Sequence, residues 1–374
     1  MADLIGRRLR AHHLVGEPFA TPAQAVGWFG AVQSQDYPAA KWAVGQRVRD
    51  ATEADLDAAF DEGKVLRTHV MRPTWHFVLP ADIVWIQELT SPRVLSGLAG
   101  RHRQLELDAH TVARAVEVMG ECLAGGQYKT RPELSEQLVA AGINVDGQRL
   151  PHMIATAEHA NVITSGPRRG KQFTYALLAE RAPGAKKKLD REQALRELTI
   201  RYFRSHGPAQ LRDFGWWSGL STKDMRVGVH LAGAQLTRLE IDGTEYWSGS
   251  EEPRGQSGAG KPAHLLPNFD EFTVAYRDRG ALLDSSVPFA PKLFAYYRDS
   301  TPMGGILSNV LTIAGRVRGA WSRTISGGTV RVEVRPLAPL SAAESDSVNR
   351  QAARLGRFLG VKAKVRARPS GQSR

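Results

Sequence analysis

Three times along this chain a proline opens a helix, and each time a pair of β-prone runs follows further on. The openings are Thr21-Pro22-Ala23-Gln24, Thr130-Arg131-Pro132-Glu133 and Gly207-Pro208-Ala209-Gln210-Leu211. Proline suits a first helical turn, where its missing N–H would be unpaired anyway. Threonine with Gln or Glu three places on satisfies two further orphan amides. Pro22, Pro132 and Pro208 are unequally spaced, which argues against a solenoid of fixed period. Helices followed by a small ribbon make a winged helix. The expectation is therefore three separate winged helices.

The first repeat begins with a helix carrying Leu4, Ile5 and Leu9 on one face. Ala25, Val26, Phe29 and Val32 recur at helical spacing, so the helix at Pro22 is expected to run to residue 32. Residues 39–48 read as helical. Thr52-Glu53-Ala54-Asp55 caps a helix with Leu56, Ala59 and Phe60, stopped by Gly63. Residues 64–71 and 74–78, parted by Arg72-Pro73, read as a two-stranded ribbon. In the second repeat Leu134, Leu138 and Ala141 align, Gly142 stops the helix, and a further helix spans 149–160. Its ribbon pairs Val162-Ile163 with Phe173-Thr174-Tyr175 around a basic tip holding Arg168, Arg169 and Lys171. Lys186-Lys187-Lys188 reads as a solvated linker to a third repeat. There a long helix over 190–206, the helix at Pro208 and one capped by Ser221 precede a ribbon, whose turn is Asp242-Gly243, a strong hairpin signal.

Residues 251–260 are rich in Gly, Ser and Pro and read as a mobile loop. Beyond them, runs at 311–313, 317–321, 323–325 and 329–334 flank short turns, which predicts a small β domain closed as a barrel. Ser341-Ala342-Ala343-Glu344 caps one more helix, with Val348, Ala352, Leu355 and Leu359 inside and Arg350, Arg354 and Arg357 outside, followed by a strand and a basic tail. The predicted class is α+β, divided into winged helices at 1–107, 108–185 and 186–250 and a C-terminal β domain at 251–374.

With 42% apolar residues in 374, the chain can bury several cores. Its formal charge of +12 favours a polyanionic partner. Cys122 is the only cysteine, so an internal disulfide and a cysteine-based zinc site are excluded; its helical surroundings read as core. Arg7-Arg8 and Arg10 are followed by no apolar segment, so no signal peptide is expected. No stretch approaches the roughly 18 apolar residues of a membrane span. A soluble, cytoplasmic, nucleoid-associated monomer is the expectation. The histidines are scattered, no His-Glu-x-x-His helix occurs, and Gly304-Gly305 lacks a following Lys-Ser/Thr, so neither metal nor nucleotide cofactor is expected.

The chemistry-bearing stretch is Gln33-Ser34-Gln35-Asp36-Tyr37-Pro38. On these residues alone it reads as a polar helix end. Asp36 reads first as the cap of the helix starting near Pro38 and second as a rival general base. His76 and Thr74, alternating on the first ribbon, face either a cleft or the core. Arg168, Arg169 and Lys171, with Arg316, Arg318 and Arg323 of the C-terminal hairpin, are candidate phosphate contacts, because backbone charge dominates DNA affinity. Trp216-Trp217, at helical spacing with Phe214, reads as core before it reads as a base-stacking platform.

Spread over the chain are Leu9-Arg10-Ala11-His12-His13-Leu14, Val32-Gln33-Ser34-Gln35-Asp36-Tyr37-Pro38, Arg72-Pro73-Thr74-Trp75-His76-Phe77-Val78, the run from Gly207-Pro208-Ala209 to Trp216-Trp217-Ser218-Gly219-Leu220, and Leu265-Leu266-Pro267-Asn268-Phe269-Asp270-Glu271-Phe272. In this order they resemble the AlkZ-type winged-helix DNA glycosylases, the alkylpurine and azinomycin-resistance enzymes. The resemblance implies three winged helices and a β domain around a basic cleft, and excision of alkylated purines from double-stranded DNA by hydrolysis, without lyase activity or cofactor. It places the family's catalytic Gln-x-Gln motif on Gln33 and Gln35; Asp36, as the nearest carboxylate, and His76, on the first ribbon, are support candidates from the residues themselves. Ser34 departs from the family's small apolar middle residue. A purine alkylated at N7 or N3 already carries positive charge, so protonating it gains little. An amide that positions water can then suffice where ordinary glycosides need a general acid. Two other classes stay open: a non-catalytic winged-helix regulator with one preferred DNA sequence, and a protein that sequesters the alkylating drug itself.

Overall fold

A computed structural model describes residues 3–184, 189–251, 261–284 and 306–368. The lysine linker, all but the first residue of the Gly/Ser/Pro loop, Gly304-Gly305 and the last six residues lie outside the described residues. In chain order the elements are α1 (Leu4–Ala11), α2 (Pro22–Phe29), β1 (Val32–Gln33), α3 (Tyr37–Gly45), α4 (Glu53–Asp61), β2 (Leu66–Val70), β3 (Arg72–Val78) and α5 (Pro80–Gln104). Then come α6 (Ala109–Leu123), β4 (Lys129–Thr130), α7 (Arg131–Ala140), α8 (Arg149–His159), β5 (Ile163–Ser165), β6 (Thr174–Leu177), α9 (Leu178–Arg181) and α10 (Arg191–His206). The chain continues through α11 (Leu211–Ser218), α12 (Thr222–Ala232), β7 (Leu236–Ile241), β8 (Thr244–Gly249), β9 (Ala263–Leu266) and α13 (Glu271–Val274). It ends with β10 (Val310–Ile313), β11 (Arg316–Ser326), β12 (Thr329–Pro336), α14 (Ala342–Phe358) and β13 (Lys362–Ala367). Two compact units form: residues 1–56, 200–217 and 232–374 make one, and residues 57–199 and 218–231 the other.

In the first unit, β9 to β13 make a five-stranded sheet in the order β13-β12-β11-β10-β9. Val330, Val332 and Val334 of β12 are fully buried and alternate with Arg331, Glu333 and Arg335, the period a half-buried strand requires. β13 runs parallel to β12, a pairing that needs a crossover, and α14 supplies it. Ser341 caps α14 in a full capping box, and its buried face is Val348, Ala352, Leu355 and Phe358. The expected barrel does not form. The sheet is open, with β9 and β13 as its edges, and α14 rather than strand closure covers its apolar face. A second cluster joins Ile5 and Leu9 of α1 to Leu266, Phe272, Val310 and Val317.

The other unit holds the β2–β3 hairpin, with Thr68 opposite His76, and a three-stranded sheet in the order β4-β6-β5. Thr130 and Glu133 form the expected capping box of α7. Leu134, Leu138, Met153, Ile154 and Ile163 build the core beneath it. The 25-residue α5, with Pro92 inside it, lies where the sequence reading placed no element. Its polar Gln87 is buried because its amide donates to the His69 and Glu158 carbonyls, at 2.7 and 3.1 Å. All three predicted ribbons form as antiparallel hairpins, β2–β3, β5–β6 and β7–β8. Among the described residues no helix is long and apolar enough to cross a membrane.

Gly315 joins β10 to β11 at φ 77°, and a Cβ there would run into Ile5 Cγ2. Gly315→Ala is expected to lower the stability of this unit by roughly 1–3 kcal/mol. A urea transition unchanged within error would refute that strain.

Candidate active site

The glutamine stretch is extended, not helical. Gly30 turns the chain at φ 80°, a backbone that glycine adopts freely, and so ends α2 at Phe29. The expectation that the helix continues to Val32 is corrected here, since Val32–Gln33 forms β1. Gln33 is 7% exposed, Ser34 is buried and Gln35 is exposed. Asp36 is the N-cap of α3, and one of its carboxylate oxygens accepts the Ala39 N–H at 3.1 Å. The other accepts an Asn268 Nδ2–H, also at 3.1 Å.

A second acidic stretch, Asn268-Phe269-Asp270-Glu271, braces the first. Glu271 is 1% exposed. Its Oε1 accepts the Gln33 backbone N–H at 2.7 Å; its Oε2 accepts the Trp217 Nε1–H at 3.0 Å and faces His206 Nε2 at 3.3 Å. Asp270, fully buried, accepts both Nη groups of Arg47 at 2.8 and 2.7 Å, the Gln46 Nε2–H at 3.2 Å and the Phe272 N–H at 2.9 Å. Arg47 also donates to the carbonyls of His12, at 2.9 Å, and Ala43, at 2.6 Å. Phe269 precedes both carboxylates at φ 59°, a left-handed conformation that an aromatic residue adopts only under constraint.

Tyr276 donates its hydroxyl hydrogen to the His206 carbonyl at 2.7 Å, so its oxygen accepts from His12 Nε2–H at 2.8 Å. That fixes the His12 tautomer. Burial, and then the positive field of His206, Arg47 and Arg8, holds His12 well below the ordinary histidine range. Arg8 lies 3.9 Å over the Tyr276 ring and donates to the Pro208 carbonyl at 2.8 Å. Pieces of the chain at 8–14, 32–38, 207–217 and 265–272 thus meet around two buried carboxylates. Glu271, Arg47, His12 and His206 were missed in the sequence. The signal was an Asp-Glu pair inside an otherwise apolar run, with no basic residue in it to partner either.

Of the candidate DNA contacts, Arg323 on β11 is the one whose charge interacts with the motif. Burial pulls its pKa down while Glu53 and Asp36 hold it up, and its Nη1 is buried with no hydrogen-bond partner among the described residues. Arg316 donates to the Ala281 and Leu283 carbonyls at 3.2 and 3.0 Å, and Arg318 pairs with Glu344 at 3.3 Å. In the other unit Arg168 pairs with Asp57 at 3.0 Å and Arg169 with Glu133 at 2.7 Å, while Lys171 is exposed. His76 belongs to that unit too, buried on β3 with Nδ1 2.9 Å from the Thr74 carbonyl. Trp217 is core, whereas Trp216 is 41% exposed and donates to the Val274 carbonyl at 2.9 Å. Burial pushes the Cys122 thiol up, the opposite of an activated nucleophile. Among the described residues no group of His, Cys, Asp or Glu could hold a metal ion.

A family model for AlkZ-like DNA glycosylases matches residues 26–358. The chain belongs to that family, and so to the DNA glycosylases. Among solved structures, the Streptomyces sahachiroi DNA glycosylase AlkZ is similar, with a TM-score of 0.78 and 22% identity over 98% of each chain. That likeness speaks for a shared fold. No curated protein sequence matches.

Asp270→Asn removes the charge opposite a buried guanidinium and is expected to destabilise the protein by about 3–5 kcal/mol in urea unfolding. Acid acts through a different group in the same unit. Burial holds His264 near 4, against an ordinary 6.5. An imidazole depressed in the fold takes up its proton on unfolding. Its contribution is therefore intact above pH 6.5 and lost as pH falls towards 4, on the order of 3 kcal/mol in all. His264→Gln should flatten the stability profile over that window, and an unchanged slope would refute the assignment.

Proposed function

We propose that this chain is a monofunctional DNA glycosylase that hydrolyses the N-glycosidic bond of purines alkylated at N7 or N3 in double-stranded DNA. Bulky natural-product adducts and crosslinks fall within the same chemistry, in repair or self-resistance. Gln33 and Gln35 are the catalytic pair: the covered Gln33 amide offers water a fixed acceptor, and the exposed Gln35 reaches the damaged nucleotide. The observation that carries this reading is the occupation of the neighbouring carboxylates. Both Asp36 oxygens are used, by the Ala39 amide and by Asn268. Glu271 is enclosed by Gln33, Trp217 and His206. That leaves amide chemistry at the surface, which suits a base already charged for departure and leaves unmodified bases almost untouched. Asp36 then supports the site as a cap, and His76 remains a support candidate in the other unit.

Lys41 is 5% exposed and paired with Glu53 at 2.9 Å, which favours hydrolysis over Schiff-base lyase chemistry. We propose further that the three helix-plus-ribbon repeats act as winged helices in a monomer that needs no metal or nucleotide cofactor. Of the six basic candidates, Arg323 and Lys171 are the foremost phosphate contacts. Arg168, Arg169, Arg316 and Arg318 already have partners within the protein.

Gln35→Ala and Gln33→Ala are expected to keep fold and DNA affinity while release of N7-methylguanine from a labelled duplex falls by roughly 10²-fold, the lower end of what a positioned proton acceptor contributes. Wild-type protein that releases nothing from alkylated DNA, but footprints on one preferred sequence, would instead establish the regulator reading.

A further inference from the structure

We infer that a cavity in the second unit takes one unpaired nucleotide of a DNA strand, its base against Trp75 and Phe173 and its phosphate at Arg131 and Lys171. The cavity holds about 310 Å³ and is walled by Trp75, Phe173 and Tyr175, with Arg131 and Lys171 among its other lining residues. No acidic side chain is among that lining. Pockets for small ligands span about 300–1,000 Å³, so this one is of a size for a single base with its phosphate.

The aromatic wall is held from behind by a cation. The buried Arg67 guanidinium lies 3.7 Å over the Trp75 ring and 4.8 Å from the centre of Phe173. Tyr175 is mostly buried, with its hydroxyl 3.4 Å from Arg131 Nη2, which aims that guanidinium along the wall. The nearby start of α7 is already occupied: the Glu133 carboxylate accepts the Thr130 N–H at 2.7 Å and pairs with Arg169. Anion binding therefore falls to Arg131 and Lys171, both exposed. Aromatic rings beside two exposed cations, one of them, Arg131, 6.0 Å over the Trp75 ring, match the two halves of a nucleotide. A base inside a duplex has both faces stacked, so only an unpaired one can use this wall. Nothing in the family chemistry of Gln33 and Gln35 requires such a site. It rests on the reading of the chain as a DNA-acting enzyme and adds a second point at which it grips an opened strand.

The test uses the full chain and a single-stranded octamer carrying one 5-iodouracil. Irradiation followed by peptide mass spectrometry should place the crosslink on Trp75, Phe173 or Tyr175. Arg131→Gln and Lys171→Gln, both at exposed positions, should each weaken octamer binding at least threefold. Trp75→Leu should weaken it more and abolish the crosslink. Release of N7-methylguanine is measured alongside. Protein that releases the base but crosslinks only elsewhere overturns the cavity and leaves the glycosylase reading intact. Protein that crosslinks at Trp75 but releases no base upholds the cavity and overturns that reading. Saturation by inorganic phosphate without any crosslink also overturns the proposal, because it reduces the site to a simple anion contact.

Discussion

A buried bidentate ion pair, Arg47 on Asp270, organises the unit that carries the glutamines. Desolvating two charges costs several kcal/mol each, so such a pair persists only where further hydrogen bonds occupy the remaining donors and acceptors. Here they are occupied. Asp270 accepts from Gln46 and from the Phe272 amide as well, and Arg47 also donates to the carbonyls of His12 and Ala43. Any shift of α3 against the chain leading into α13 would strand one of these groups. The pair contributes little net stability against an apolar alternative; what it supplies is a single arrangement. The left-handed Phe269 is consistent with that, since a strained residue survives only where its surroundings over-determine it.

The consequence for the site follows directly. With α3 fixed at its far end by Arg47, its first turn is fixed as well, and there Asp36 caps it. The neighbouring Glu271 accepts the Gln33 backbone N–H and Asn268 holds the Asp36 side chain, so the motif is tied on both sides of Ser34. A water-positioning amide gains from such rigidity, because its effect comes from geometry rather than basicity. A flexible glutamine would hold water no better than the solvent does.

Much of the local structure was legible. The proline-led helices at Pro22 and Pro132, the capping boxes at Thr21, Thr130 and Ser341 and the Asp242-Gly243 turn are short-range signals, and each formed as read, whereas the helix after Pro208 starts only at Leu211. The misreadings came from competition that local patterns do not encode. Val32 fits the spacing of α2, yet Gly30 at positive φ ends the helix first. The strands after residue 310 alternate as a barrel's would, but whether β9 meets β13 is decided by where α14 crosses, and it crosses the sheet's face. The site was half legible. The capping role of Asp36 could be read from one stretch. Glu271 could not, because its partners lie at residues 33, 206 and 217.

The basic composition shows the same limit in another form. A charge of +12 suggests many phosphate contacts, and the arginine-rich tips suggest where they lie. Yet Arg168, Arg169 and Arg318 each face a carboxylate of their own unit within 3.3 Å. An arginine already paired gains little from a phosphate, since it must first give up an equivalent anion. What distinguishes Arg323 is that its field partners, Asp36 and Glu53, are a cap and the partner of Lys41, each already engaged. The Arg323 Nη1 is buried with no hydrogen-bond partner among the described residues. On the proposed function, β11 and the start of α3 would then share grip and chemistry, and the net charge of the chain records neither.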